Sequence, residues 1–302
     1  MIIDTTLTSS QAQDLTAAIG PLKYFNDLAN PNTPDETFKT LAQTAWNRMN
    51  PVLSKTDIPE QIQAFIQNPH IISGLRFRNL PTPKQPITAP KAIREPIPLS
   101  IAHILLAGFL KPFNQPVANK RFESSIRFQN GNMTNEETWH GHPQFHYTAF
   151  YCHQGDLHAQ TNVFSANMAM RCLQRGTQTT LLTPFAYTSD QKPFALIAPR
   201  EQGFRFTPEL QTAQSNWMDK IESLDLPNLL KFLDMLYDSN IPRKNKAAIH
   251  QLQNIFNNWV FPIIHHAGDL ILFNEKTTIR YSAPYKPSTS NTPRWMQTLS
   301  LT

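Results

Sequence analysis

Trp139-His140-Gly141-His142-Pro143-Gln144-Phe145-His146 is the stretch on which the reading of this chain turns, and five of the ten histidines fall between His140 and His158. On an extended segment a His-x-His pair sends both imidazoles to one face, because alternate side chains of a strand share a side. Imidazole is also the commonest protein metal ligand. The spacing therefore marks His140 and His142 as a candidate metal pair on a β scaffold. His146 has the same parity, but a strand that stays extended would carry it about 13 Å beyond His142. A turn at Pro143 is required before it can serve the same ion. His153, His158 and the adjacent His265-His266 are further candidates, and of that last pair at most one can face inward on a strand.

Outward from this stretch the chain divides into zones. Residues from about 9 to 67 carry helical periodicity, with Ser9-Ser10-Gln11-Ala12-Gln13 as a capped start and an amphipathic run from Asp35 to Met49 opened by Pro34. Residues 73–80 alternate apolar and polar side chains and stop at Pro81, as a half-buried strand does. A proline-rich loop follows to Pro98. The run Ile101 to Leu110 is apolar except for His103 and too short to span a bilayer, so it reads as a buried helix. Residues 122–182 are strand-rich, most clearly at Phe145 to Cys152 and Thr161 to Phe164. A helical insertion covers about 207–260, and strands return over 268–301 to close a sheet. The expectation is a single β-rich α+β domain over residues 1–302.

Composition removes several classes. The net charge of +5 is spread along the chain, and its densest cluster, Arg243-Lys244-Asn245-Lys246, follows Pro242 as a solvated helix start would, so no nucleic-acid partner is expected. Small anionic ligands suit this balance better. Cys152 and Cys172 are too few for a disulfide framework and fit a reducing cytoplasm. The first residues have no basic stretch leading into an apolar one, as a signal peptide requires. No membrane span is expected. Nucleophile elbows, phosphate-cradling glycine loops and dinucleotide fingerprints are absent.

Read in order, Gly74-Leu75-Arg76-Phe77-Arg78-Asn79-Leu80-Pro81, Thr88-Ala89-Pro90, Trp139 to His146, Ala159-Gln160-Thr161, Gly268-Asp269-Leu270 and Arg294-Trp295 resemble the clavaminate synthase-like branch of the TauD superfamily. That family consists of Fe(II)/2-oxoglutarate oxygenases built on a double-stranded β-helix, the jelly-roll barrel. The resemblance, which covers most of the chain, implies this barrel with flanking helices, and it implies Fe(II) or another first-row metal together with 2-oxoglutarate. It places His140 on the first iron ligand, His142 on the carboxylate ligand and His146 on a later histidine of the motif. Counting from Gly268 places Arg280 on the second histidine ligand. Arg294 falls on the arginine that clamps the distal carboxylate of 2-oxoglutarate, and Thr161 on the threonine that helps to hold it.

The departures matter chemically. A 2-His-1-carboxylate face offsets part of the metal charge and leaves three open positions. Imidazole at His142 keeps a donor and loses a negative charge. Guanidinium at Arg280 has no lone pair to donate and stays protonated; at ~4 Å from a dication, with an effective dielectric of ~20, each unit of the ion's charge would cost roughly 4 kcal/mol. Two readings of function follow. One is an oxygenase-family enzyme that oxidises an amino-acid-like or natural-product molecule at a remodelled metal site carried by His140, His142 and a third donor such as His146. The other is a catalytically silent relative in which Arg280 and Arg294 clamp a small dicarboxylate without metal. A third, metal-free acid-base chemistry, would use His140 or His142 as proton carrier beside the two arginines.

Overall fold

The computed structural model describes residues 1–83, 97–118, 122–127, 142, 144–155, 160–187, 192–201, 203–218, 228–282 and 294–302. In chain order the elements are β1 (Ile2–Thr6), α1 (Ser9–Ile19), α2 (Asp35–Leu53), α3 (Ile58–Gln67), β2 (Gly74–Arg78), α4 (Ile101–Leu110), β3 (Glu123–Arg127), β4 (Tyr147–Gln154) and β5 (Gln160–Ser165). They continue with α5 (Ala166–Cys172), α6 (Arg175–Leu181), the short strands β6 (Ala186–Tyr187), β7 (Pro193–Phe194), β8 (Ile197–Arg200) and β9 (Gly203–Phe206), then α7 (Pro208–Met218), α8 (Asn228–Asp238) and α9 (Arg243–Trp259). The chain ends in β10 (Phe261–Ile264), β11 (Leu270–Asn274), β12 (Thr278–Ser282) and β13 (Arg294–Leu301).

Two sheets organise the molecule. The larger has six strands in the order β1-β2-β11-β4-β13-β3, and the smaller has three in the order β10-β5-β12. Strand alternation sorts their side chains into layers. Leu75 and Phe77 of β2, Ala149 and Tyr151 of β4, Leu270 and Leu272 of β11, and Leu299 and Leu301 of β13 share one apolar cluster with α1 to α4. Phe164 of β5 and Ile279 of β12 belong to a second cluster with α5 to α9. Between the sheets lies a third, in which Val163 and Ile263 of the smaller sheet meet Ile2, Ile271, Phe273 and Phe150 of the larger. The order of layers is therefore helices, six-stranded sheet, three-stranded sheet, helices.

Every residue of α4 is buried, as its apolar run requires. Its partner α2 approaches closely because Gly108 has no side chain: a Cβ there would stand 2.2 Å from Met49 Cε and 3.3 Å from Ala45 Cβ. The first helix is capped one residue earlier than Ser9. Thr8 Oγ1 accepts from Gln11 N–H at 3.2 Å while Gln11 Oε1 accepts from Thr8 N–H at 2.8 Å, a reciprocal capping box.

Three parts of the sequence reading are corrected. Residues 166–181 lie in the zone read as strands yet form α5 and α6, because Ser165 turns the chain by accepting from Met168 N–H and Ala166, Met168, Ala169 and Met170 are good helix formers. The strand β1 precedes the first helix and pairs in parallel with β2, a long-range contact with no local signature beyond two isoleucines. The strand β10 follows α9 directly and pairs with β5, so sheet structure resumes before residue 268. Among the described residues no helix is long and apolar enough to cross a membrane.

Candidate functional site between the two sheets

Polar groups concentrate on the faces that the two sheets turn toward each other. On β5, Thr161 shares the face of Val163. Its Oγ1 lies 2.8 Å from His265 Nε2, and both residues are buried. His265 follows β10 immediately, while His266 is only half-buried, so one member of the pair is inside. The end of β4 presses on this segment through Gly155, where a Cβ would stand 1.9 Å from the His265 carbonyl oxygen. Only glycine fits that approach.

Arg76 of β2 links the sheets. Its Nη2 donates to Asp269 Oδ2 at 2.6 Å and to the Ile264 carbonyl at the end of β10, and its Nη1 reaches Asp4 Oδ2 at 3.4 Å. Asp269, 1 % exposed, also accepts from His266 N–H at 3.0 Å. The Gly268-Asp269 motif thus has a structural task here: Gly268 takes a positive φ of 82° against the Leu80 carbonyl, and Asp269 neutralises a buried arginine. Arg294, buried at the start of β13, shares this neighbourhood. Burial and the Asp269 charge push the Cys152 thiol well up, while the charges of Arg294 and Arg76 draw it part of the way back.

Arg280 has a partner the sequence did not announce. On β12 it faces between the sheets, and its Nη1 donates to Glu275 Oε1. Its guanidinium carbon lies 4.7 Å from the Phe150 ring centre and 5.5 Å from that of Phe273. The Glu275 side chain is completely buried. Burial alone would push its carboxyl up, but the charges of Arg280 and His142 and the hydrogen bonds from Arg280 and Thr148 outweigh this and hold it below the usual carboxylate range. The other oxygen, Oε2, accepts from the His142 backbone N–H at 3.1 Å. Arg280 is therefore committed to a buried ion pair, and the two-arginine clamp expected from sequence loses one member.

The histidine segment itself is partly described. His140 and His158 lie outside the described residues. Ahead of β4, Phe145 N–H donates to the His142 carbonyl at 2.9 Å. His146 is half-buried, and burial with the Lys276 charge lowers its pKa. His153 is on the other side of β4, in the helix-facing layer. It stacks on Trp295 with ring centres 3.8 Å apart and its Nε2 lies 2.6 Å from Gln297 Oε1, so it is no companion of His142.

Among the described residues no three His, Cys, Asp or Glu side chains converge to hold a metal ion. The residues fit a metal only in part. The imidazoles of the histidine segment are suitable donors, but the position opposite them does not fit, because Arg280 offers no lone pair and already carries a positive charge into a buried pair. Thr161, paired with His265, belongs to the smaller sheet, and Arg294 is buried at the start of β13 in the larger. Glu275 and Arg76, essential to this layout, were missed by sequence reasoning. The one available signal was Glu275 lying five residues before an arginine, in the segment that joins β11 to β12.

This arrangement has the fold of non-haem iron oxygenases. The structure of asparagine oxygenase (AsnO) superposes with a TM-score of 0.68 at 15% identity, covering 99% of this chain and 92% of that one. The non-haem iron oxygenase OrfP, in complex with Fe and alpha-ketoglutaric acid, gives a TM-score of 0.65 at 13% identity over 100% of this chain and 94% of that one. OrfP with Fe and L-Arg gives 0.60 at 13% identity, covering 99% and 93%. No family model matches the sequence, and no curated protein matches it.

Proposed function

We propose that this protein is an oxygenase-type enzyme that oxidises a small, amino-acid-like molecule in the space between its two sheets. In this reading the six- and three-stranded sheets are the two halves of a double-stranded β-helix, and residues 1–302 form one oxygenase-like domain. The observation that carries it is the whole-chain match in fold to AsnO and OrfP. Fe(II) and 2-oxoglutarate are the proposed cofactor pair. Arg294 is proposed to hold the distal carboxylate of the 2-oxo acid bidentately, while Thr161, fixed by His265, holds the other end. His140 and His142 are proposed as metal donors, with His146 as the third nitrogen.

When bound, iron would supply the activation of dioxygen, and the apolar cluster of Phe150, Phe273 and Val163 between the sheets would keep water from a small substrate held beside it. The metal-free dicarboxylate reading is weaker than its sequence basis implied, because Arg280 is occupied by Glu275. With both cysteines free, a reducing cytoplasm is the proposed location.

The test is elemental mass spectrometry on untagged protein, before and after anaerobic reconstitution with Fe(II), together with 2-oxoglutarate titration of wild type and Arg294→Ala. Near-stoichiometric iron, and 2-oxoglutarate binding that the substitution abolishes, are expected. No transition metal under either condition would refute the oxygenase reading, and unchanged 2-oxo acid binding in Arg294→Ala would refute the assignment of Arg294.

A further inference from the structure

Glu275 touches the histidine segment at both ends of its turn. Its Oε2 accepts from His142 N–H at 3.1 Å, and its own backbone N–H donates to the His146 carbonyl at 3.0 Å. Between these anchors Phe145 N–H closes on the His142 carbonyl. The carboxylate is itself fixed by Arg280, and Arg280 is wedged against Phe150 and Phe273. The backbone bearing Glu275 is equally set, because Asn274 Oδ1 accepts from Lys276 N–H at 3.0 Å and Thr278 Oγ1 donates to the Asn274 carbonyl at 2.5 Å.

We infer that Glu275 is the positioning residue of the His142–His146 turn and that Arg280 serves as its counter-ion, neither ligand nor anion clamp. The chemistry supports this division. A fully buried carboxylate that accepts from Arg280 on one oxygen and from the His142 N–H on the other is held in one orientation, and a neutral pair inside the sheets avoids the cost of an isolated charge. Groups that orient metal ligands from behind commonly change metal affinity by about 10–100-fold when removed. The position facing the histidines thus contributes by aiming the segment that carries them. This rests on the reading of that segment as metal-facing, and the experiment separates the two.

Two neutral double variants differ only in whether an acceptor remains for His142 N–H. Glu275→Gln with Arg280→Met keeps a carbonyl oxygen there, and Glu275→Leu with Arg280→Met removes it while filling the space with apolar groups that preserve the fold. Amide hydrogen exchange at His142 and Phe145, read by NMR, and Co(II) affinity, read by titration, are measured for both and for wild type. The inference expects the leucine variant to exchange His142 at least about tenfold faster and to bind Co(II) about 10–100-fold more weakly, with the glutamine variant close to wild type in both. A leucine variant whose His142 amide stays protected overturns it. If wild type binds no Co(II), the metal reading fails, and the exchange comparison still decides the role of Glu275.

Discussion

Replacing Arg280 by methionine removes a guanidinium while keeping an unbranched side chain between Phe150 and Phe273. Glu275 would then be a carboxylate with no solvent exposure, its Oε2 still accepting from the His142 N–H. Breaking a buried pair by removing one member typically costs about 3–5 kcal/mol, so Arg280→Met is expected to lose that much at pH 7.5 in urea unfolding followed by circular dichroism. The pH dependence has a definite sign. In wild type the folded carboxyl is held below its unfolded value of about 4.3, so its contribution is complete above that pH and disappears as pH falls through the lower folded value. In the variant, burial is no longer opposed by Arg280, so the folded pKa rises above the unfolded one. Stability is then lost as pH rises from about 4.3 through that raised value. The two proteins should therefore converge toward pH 4 and diverge toward neutrality. Adding Glu275→Gln to Arg280→Met should recover most of the loss at pH 7.5. A single variant within about 1 kcal/mol of wild type, or a deficit that does not change with pH, would refute the claim that this pair is a buried, mutually dependent unit.

Other expectations concern the neighbouring layers. Gly155→Ala places a methyl group into the His265 carbonyl, so it should displace His265 and weaken 2-oxoglutarate binding at Thr161 by about tenfold; isothermal titration gives the answer, and wild-type affinity would remove His265 from the site. His103 and His153 are buried imidazoles whose pKa values burial lowers to about 3 and about 4. Because both folded values lie below the unfolded value of about 6.5, each supports stability above pH 6.5 that is lost on acidification, at about 1.4 kcal/mol per pH unit for each histidine. His153→Gln should flatten the fall of unfolding free energy between pH 6.5 and 4.5, and a slope identical to wild type would show that His153 is not the group responsible.

Much of the architecture was written locally. The apolar decapeptide of α4, the Pro34-led helix α2, the alternating strand β2 and the C-terminal strands all carry periodicities that a buried helix or a half-buried strand must have, since those patterns come from the geometry of the backbone alone. The ordered motifs around Gly74, Thr161, Gly268 and Arg294 pointed to the oxygenase fold on the same local footing. What local pattern could not supply was partnership across the sheets. Nothing adjacent to Ile2 and Ile3 tells them to pair with β2, and although Glu275 stands five residues before Arg280, that spacing does not say that its carboxylate will be tied to His142. Buried charge is stable only when packing brings it a counter-charge and hydrogen-bond partners. A titratable side chain in a sequence is therefore a free ligand or clamp until packing assigns its partner. In this protein packing gave Arg280 to Glu275, Arg76 to Asp269, His153 to Gln297 and Thr161 to His265.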